Sequence, residues 1–147
     1  MNTNSDNKVV AQKSFDNATR YMSNAKRELG LAMKNGNIYE DRKHVSCACG
    51  IAYKGVLVAL DGIFILRRVK RDRGGVSIKF YQSNLAKIDK KMLHSLEVAY
   101  QILHVDGYYN EFNDVRALAI GFIEAEIILK KLKQMLCINP PSPPISN

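Results

Sequence analysis

The sequence predicts an all-α fold, an up-down-up-down four-helix bundle with disordered N- and C-terminal tails, and three observations predict it. The stretch from Val45 to Leu66 is apolar almost all the way round, broken only by Ser46, Lys54 and Asp61. Three further stretches carry apolar residues at helical spacing, joined by short and medium loops. No segment sustains the period-two alternation of a half-buried strand. VSIKFY, residues 76–81, is the one candidate strand, and a lone strand makes no sheet. The 147 residues give room for one domain and one sizeable core. The expected division is a flexible segment over 1–12, the bundle over 13–136 and a Pro-rich tail over 137–147.

The first helix is read from Ser14, its cap, with Phe15, Ala18, Met22, Ala25, Leu29 and Ala32 or Met33 on the core side. Asn35-Gly36 should stop it, because glycine tolerates the left-handed conformation that closes a helix. On the opposite face Lys13, Arg20, Arg27 and Lys34 recur every seven residues, as a solvated face or as a docking track for phosphates.

Glu40 and Asp41 suit the positive end of helix two, which runs to Arg68 or Arg71. It carries a row of small residues, Ala48, Ala52, Gly55, Ala59 and Gly62, in steps of four and three. Glycine weakens a helix interior by about 1 kcal/mol relative to alanine, so the row implies close packing, against another helix of the same chain or across a dimer. Cys47, Lys54, Asp61 and Arg68 form a polar row at sevenfold spacing. That row is a narrow exposed or rim strip, or else Lys54 and Asp61 cross-pair in a dimer or line a groove together with Tyr108 and Tyr109. At the helix end Arg67, Arg68, Lys70, Arg71 and Arg73 complement the negative helix terminus before Gly74-Gly75 breaks the chain.

Ser83 or Asn84 caps helix three, with Leu85, Ile88, Met92, Leu96, Ala99 and Leu103 inward and Lys87, Lys90, Lys91 and His94 outward. It ends at Asp106-Gly107, and the aromatic link GYYNEFND is expected to plug the end of the bundle. Asn113 or Asp114 caps helix four, whose core row is Val115, Leu118, Phe122, Ala125, Leu129, Leu132 and Leu136. A second apolar row, Ile120, Ile123 and Ile127, implies that this helix is covered on two sides. The ending CINPPSPPISN cannot continue a helix, because proline lacks the amide proton and clashes with the preceding turn.

A net charge of +8 with a pI near 9.5 favours attraction to anions, nucleic acid included, without choosing among them. The first residues lack a basic start followed by an apolar run, so a cytoplasmic protein is expected. Helix two has the length to span a bilayer, but Lys54 and Asp61 inside it favour a soluble core, so no membrane partner is expected. Cys47, Cys49 and Cys137 frame neither a disulfide set nor a zinc knuckle. His44 and Cys47, three apart, offer two ligands where a zinc site needs three or four, so no metal and no cofactor is expected. Neither GXGXXG nor GXXXXGK[ST] occurs, and no histidine is tied by spacing to a nucleophile that it would activate.

ATRYMSNAKRELG (18–30), YEDRKHVSCACGIAYKGVLVAL (39–60) and LHVDGYY (103–109) make the chain resemble the HEPN-type helical bundles. The resemblance implies a bundle that often dimerises and, in some members, RNA cleavage or partnership with a nucleotidyltransferase. Ribonuclease members carry an arginine followed four to six residues later by a histidine. Arg42 and His44 are too close together, and His94 and His104 lack such an arginine, so no catalytic residue is carried over.

The expected function is that of a non-catalytic interaction module, a homodimer. The alternative is a nucleic-acid-binding or toxin–antitoxin-type protein that uses Arg67, Arg68, Lys70, Arg71 and Arg73, with Lys87, Lys90 and Lys91 adjoining. An enzyme or small-ligand site between helices around Lys54, Asp61, Tyr108 and Tyr109 is a third reading, which a solvent-exposed Lys54 would end.

Overall fold

The computed structural model describes residues 3–71 and 77–138. Arg73, Gly74-Gly75 and the proline tract of the tail lie outside the described residues. Among the described residues there are five α-helices: α1 (Thr3–Gly30), α2 (Arg42–Leu66), α3 (Ile78–Ile88), α4 (Lys90–Ala99) and α5 (Val115–Cys137). Beyond Ala99, α4 widens without a break into a π-helical segment, Tyr100–Tyr109. The bundle consists of α1, α2, α4 with its π-helical continuation, and α5. Pairings that run in opposite numerical order make its neighbours antiparallel: Tyr21 against Gly55 and Ser14 against Gly62, Tyr108 against Gly50 and Tyr100 against Tyr53, and Ser95 against Glu124 and Ile102 against Gly121.

The small-residue row of α2 is what lets α1 come near, and it works inside the subunit. Ala48, Ala52 and Ala59 are fully buried, facing the alanine-rich side of α1. A Cβ added to Gly55 would lie 3.1 Å from Tyr21 Cβ and 3.3 Å from the Ala18 carbonyl oxygen. One added to Gly62 would lie 2.9 Å from both Ser14 Cβ and Leu132 Cδ2, so α1 and α5 grip α2 at one level. The dimer reading of this row therefore gives way to packing within the chain. By length and composition α2 is apolar enough to cross a membrane, but Val45, Val56, Leu60 and Ile63 are fully buried in the bundle.

Both ends of α1 depart from expectation. It begins at Thr3, so residues 3–12, expected to be loose, are helical. The physical reason is the length of α2: Ala11 is buried against it, the Asn7 amide donates to the Ile65 carbonyl oxygen at 3.5 Å, and Arg68 donates to Asn4 Oδ1. At the other end α1 stops at Gly30 rather than at Asn35-Gly36. The chain then forms a miniature hairpin, β1 (Lys34–Asn35) and β2 (Ile38–Tyr39), in which Gly36 takes a φ of 62° at the turn. Tyr39 N donates to the Asn113 carbonyl oxygen at 2.9 Å and Asn113 Nδ2 to the Tyr39 carbonyl oxygen at 2.8 Å, which fastens the hairpin to the approach to α5.

Aspartates start three helices. Asp41 accepts from Lys43 N and His44 N, Asp89 from Lys91 N and Met92 N, and Asp114 from Ala117 N, each satisfying amides that lack a helical partner. Asp89 also corrects the reading of helix three as one continuous element. Its extended backbone (φ −160°, ψ 103°) separates α3 from α4. The candidate strand VSIKFY is helical from Ile78, because Phe80 and Tyr81 pack their rings on Phe64 (centroids 5.6 and 5.7 Å apart).

Candidate functional site

The structure separates the side chains that the sequence grouped as a groove. Asp61 accepts from Tyr81 Oη at 2.8 Å and from Arg71 Nη2 at 3.2 Å, beside a cavity of about 200 Å³ lined also by Phe64, Ile65, Val69 and Phe80. Burial and the Asp61 carboxylate raise the Tyr81 phenol well above its usual range. Lys54 is solvent-exposed and lines a different groove of about 540 Å³, with Asn17, Arg20, Tyr21, Asn24 and Val58. Tyr108 and Tyr109 belong to a third place, on the π-helical segment. The four-residue site around Lys54, Asp61, Tyr108 and Tyr109 is thereby dismantled.

That third place is an aromatic column. Side chains four apart share one face of a helix, and in a π-helical turn, which holds more than four residues, they stay close to one line. Tyr100, His104 and Tyr108 are spaced in this way. His104 lies 5.2 Å from the Tyr100 ring centroid, 6.0 Å from Tyr108, 4.7 Å from Tyr53 of α2 and 5.0 Å from Tyr109. Gly50 of α2 lies under the Tyr108 ring, and Ser46 Oγ donates to the Tyr108 carbonyl oxygen at 2.7 Å. The expected plug is partly realised: Tyr108 seats on α2, while Tyr109 is 68% exposed. Residues 100, 104 and 108 share a helix face by their spacing, but that Tyr53 of α2 packs against His104 depends on how two helices meet, which periodicity does not report.

Burial in this column lowers the pKa of His104, whereas His44 moves the other way. His44 Nδ1 lies 2.6 Å from Glu28 Oε1, and that hydrogen bond is the main cause of its raised pKa. Proton NMR titration should place His44 above the ordinary value of about 6.5 and His104 below it. In Glu28→Gln, His44 should fall back toward that value while His104 stays. The signs of the stability effects are opposite. The charged His44–Glu28 pair contributes fully below the ordinary histidine pKa and fades as pH rises through the raised one. His104 instead withdraws stability as pH falls below the ordinary value, because the unfolded chain then binds the proton more readily. The Glu28 contact also occupies the imidazole of the His44–Cys47 pair. Burial pushes the Cys49 thiol up to about 12, and Cys47 is raised as well, so both remain thiols at neutral pH.

The basic cluster at the end of α2 is partly committed to the fold. Arg67 is the C-cap of α2, Arg68 takes a left-handed φ of 57° and reaches Asn4, and Arg71 reaches Asp61. Lys70, Lys87, Lys90 and Lys91 are exposed, and Arg73 is outside the described residues. Between Lys87 and Lys90, Asp89 pairs with Lys131 of α5 at 3.6 Å, which places an acid within the basic stretch.

The outward face of α5 gives the clearest surface feature. Ile120, Ile123 and Ile127 are 52%, 57% and 44% exposed, on the side opposite the core row Leu118, Phe122, Ala125, Leu129 and Leu132. The expectation that this helix is covered on two sides is corrected: the described residues cover one side and leave the isoleucines exposed. The flanks of α5 are already engaged, Glu124 with Ser95 Oγ of α4 at 3.2 Å and Glu126 with Lys26 of α1. No other element of the described chain packs on the isoleucine face.

No curated protein matches the chain. A solved structure of a protein of unknown function from Dyadobacter fermentans is similar to it, with 36% sequence identity and a TM-score of 0.75 over 86% of this chain and 98% of that one. The family model described as a domain of unknown function, DUF5618, matches residues 13–134, from the first half of α1 almost to the end of α5. The chain therefore belongs to the DUF5618 family.

Proposed function

We propose that the protein acts by association, as a non-catalytic helical bundle that forms a homodimer through the outward face of α5. The observation that carries this reading is the bare row Ile120, Ile123 and Ile127. A lone exposed isoleucine is ordinary, but three on one helix face, one and two turns apart, form a stripe of the kind that buries itself against another helix. A second copy is the proposed occupant, because an apolar stripe flanked by polar residues is self-complementary in an antiparallel helix pair. Pairing of two α5 helices about Ile120 sets the exposed Arg116 of one copy level with Glu124 of the other, which is half-buried and already bonded to Ser95 Oγ. A stable interface buries about 1,200 Å² or more in total, so side chains flanking the isoleucines contribute to it.

Sedimentation velocity over a concentration series tests the proposal. The protein is expected to sediment as a dimer at high concentration, and Ile123→Glu as a monomer with an unchanged circular dichroism spectrum. A monomer across the whole series would overturn it.

The nucleic-acid reading, with its HEPN-like, toxin-system and nucleotidyltransferase associations, takes second place. It is supported by the +8 charge and by the exposed cations from Arg67 to Arg71, and is weakened by the internal partners of Arg68 and Arg71. Binding to RNA that falls steeply with salt, and that is lost when Arg67, Arg68, Lys70, Arg71 and Arg73 are neutralised, would move it to first place.

A further inference from the structure

We propose that the groove between α1 and α2 is a binding site for a phosphate-bearing ligand, held by Arg20 and Lys54. Asn17, Arg20, Tyr21 and Asn24 stand at i, i+3, i+4 and i+7 on α1, one face of a helix, and Lys54 and Val58 stand one turn apart on α2. The six residues bring two cations, two amides and a phenol to one groove, with no acid in its lining. Among the described residues no ion pair engages Arg20 or Lys54, and no side-chain hydrogen bond engages Asn17 or Asn24. Elsewhere on this chain cations near a neighbouring helix do find acids, as Lys26 finds Glu126 and Lys131 finds Asp89. Here the fold assembles donors without supplying an acceptor.

The backbone explains why these side chains converge. Gly55, next to Lys54, lets α1 approach α2 at Tyr21 and Ala18, so Arg20 and Lys54 rise from adjacent helices where those helices pack closely. A guanidinium presents a planar fork that matches two phosphate oxygens, an ammonium adds a point charge, and carboxamide N–H groups donate to the remaining oxygens. Tyr21 and Val58 supply an apolar wall for the organic part of the ligand. The volume, about 540 Å³, is within the usual range of small-molecule sites, about 300–1,000 Å³. Lys13 and Arg27, seven residues on either side of Arg20, extend the positive field along α1.

The groove lies apart from the isoleucine face, and its test does not depend on dimerisation. Calorimetric titration at low salt with pyrophosphate, adenosine monophosphate and a ten-nucleotide oligouridylate separates the two sources of a phosphate group. The proteins compared are wild type, Arg20→Gln/Lys54→Gln, and a control of equal charge loss at two exposed lysines away from the groove, Lys79→Gln/Lys133→Gln. Binding weakened about tenfold or more in the groove variant and little changed in the control would support the site. Response to pyrophosphate or the mononucleotide would assign it to a small phosphorylated ligand, and response to the oligonucleotide alone to a phosphodiester backbone. Absence of binding with all three probes, or equal weakening in both variants, would overturn it.

Discussion

Truncating Ile128 to alanine is expected to destabilise the protein by about 2–5 kcal/mol, the cost of deleting a buried aliphatic side chain and leaving a cavity. Its neighbour Ile127 should behave differently. Ile128 is fully buried among the core residues of α5, whereas Ile127 is 44% exposed on the other side of the same helix. Against a total stability of about 5–15 kcal/mol, the Ile128 change is large, and for a chain of this size it lowers Tm by roughly 5–20 °C. Ile127→Ala should change the stability of the dilute monomer by about 0.5 kcal/mol or less. If the isoleucine face is covered by a second copy, however, wild type gains stability with concentration by mass action and Ile127→Ala gains less. Denaturant unfolding at two protein concentrations reads both effects. An Ile127 variant as damaged as Ile128 at every concentration would mean that this face is packed within the chain, contrary to the exposure described above.

The contrast also shows what the sequence could convey. Both apolar rows of α5 were legible from spacing, because periodicity reports which residues share a face. It does not report whether anything covers that face. Helix two was legible nearly to its ends: Asp41 marks its start by side-chain capping, and the row from Ala48 to Gly62 marks its closest contact. The break at Asp89 was not legible. Leu85, Ile88, Met92 and Leu96 keep helical spacing across it, and no glycine or proline intervenes, so the periodic signal runs on through a residue whose carboxylate caps the next helix. The N-terminal turns of α1 were hidden for the opposite reason. Their sequence is polar, and the helix there is stabilised by Ala11, Asn7 and Asn4 against the far end of α2 rather than by a broad apolar face. At the level of sites, sevenfold spacing placed Lys54 and Asp61 on one strip of α2, correctly. α1 occupies the flank of that strip at Lys54, while Tyr81 of α3 and Arg71 engage Asp61, so one row serves two unrelated surroundings. Arg20 was visible as part of a basic row, but its meeting with Lys54 depends on two helices and on Gly55 between them.

The π-helical segment offers the sharpest test of that kind of dependence. Gly107 is buried where the segment crosses α2, and a Cβ placed on it would overlap the Cys49 sulfur and lie 2.8 Å from Cys49 Cβ and 3.1 Å from the Ile102 carbonyl oxygen. Two of these neighbours belong to a fully buried side chain and one is backbone, so none can swing aside. Gly107→Ala is therefore expected to destabilise the protein by about 1–3 kcal/mol, although alanine is the better helix former by about 1 kcal/mol. The conflict is between local preference and packing, and packing should win because the widened helix leaves no room at this level. Cys49→Ala alone removes a buried thiol and should cost a moderate amount. In the double variant the sulfur is gone while the Cβ contact remains, so part of the Gly107→Ala loss should be recovered, and the cycle should show a favourable coupling of about 0.5–3 kcal/mol. Thermal or denaturant unfolding of the four proteins gives the coupling directly. Strict additivity would mean that the two helices are not in contact at Cys49 and Gly107. Aromatic near-ultraviolet circular dichroism should follow the same pattern, because Tyr53, Tyr100 and His104 hold their geometry only while the π-helical segment is seated on α2.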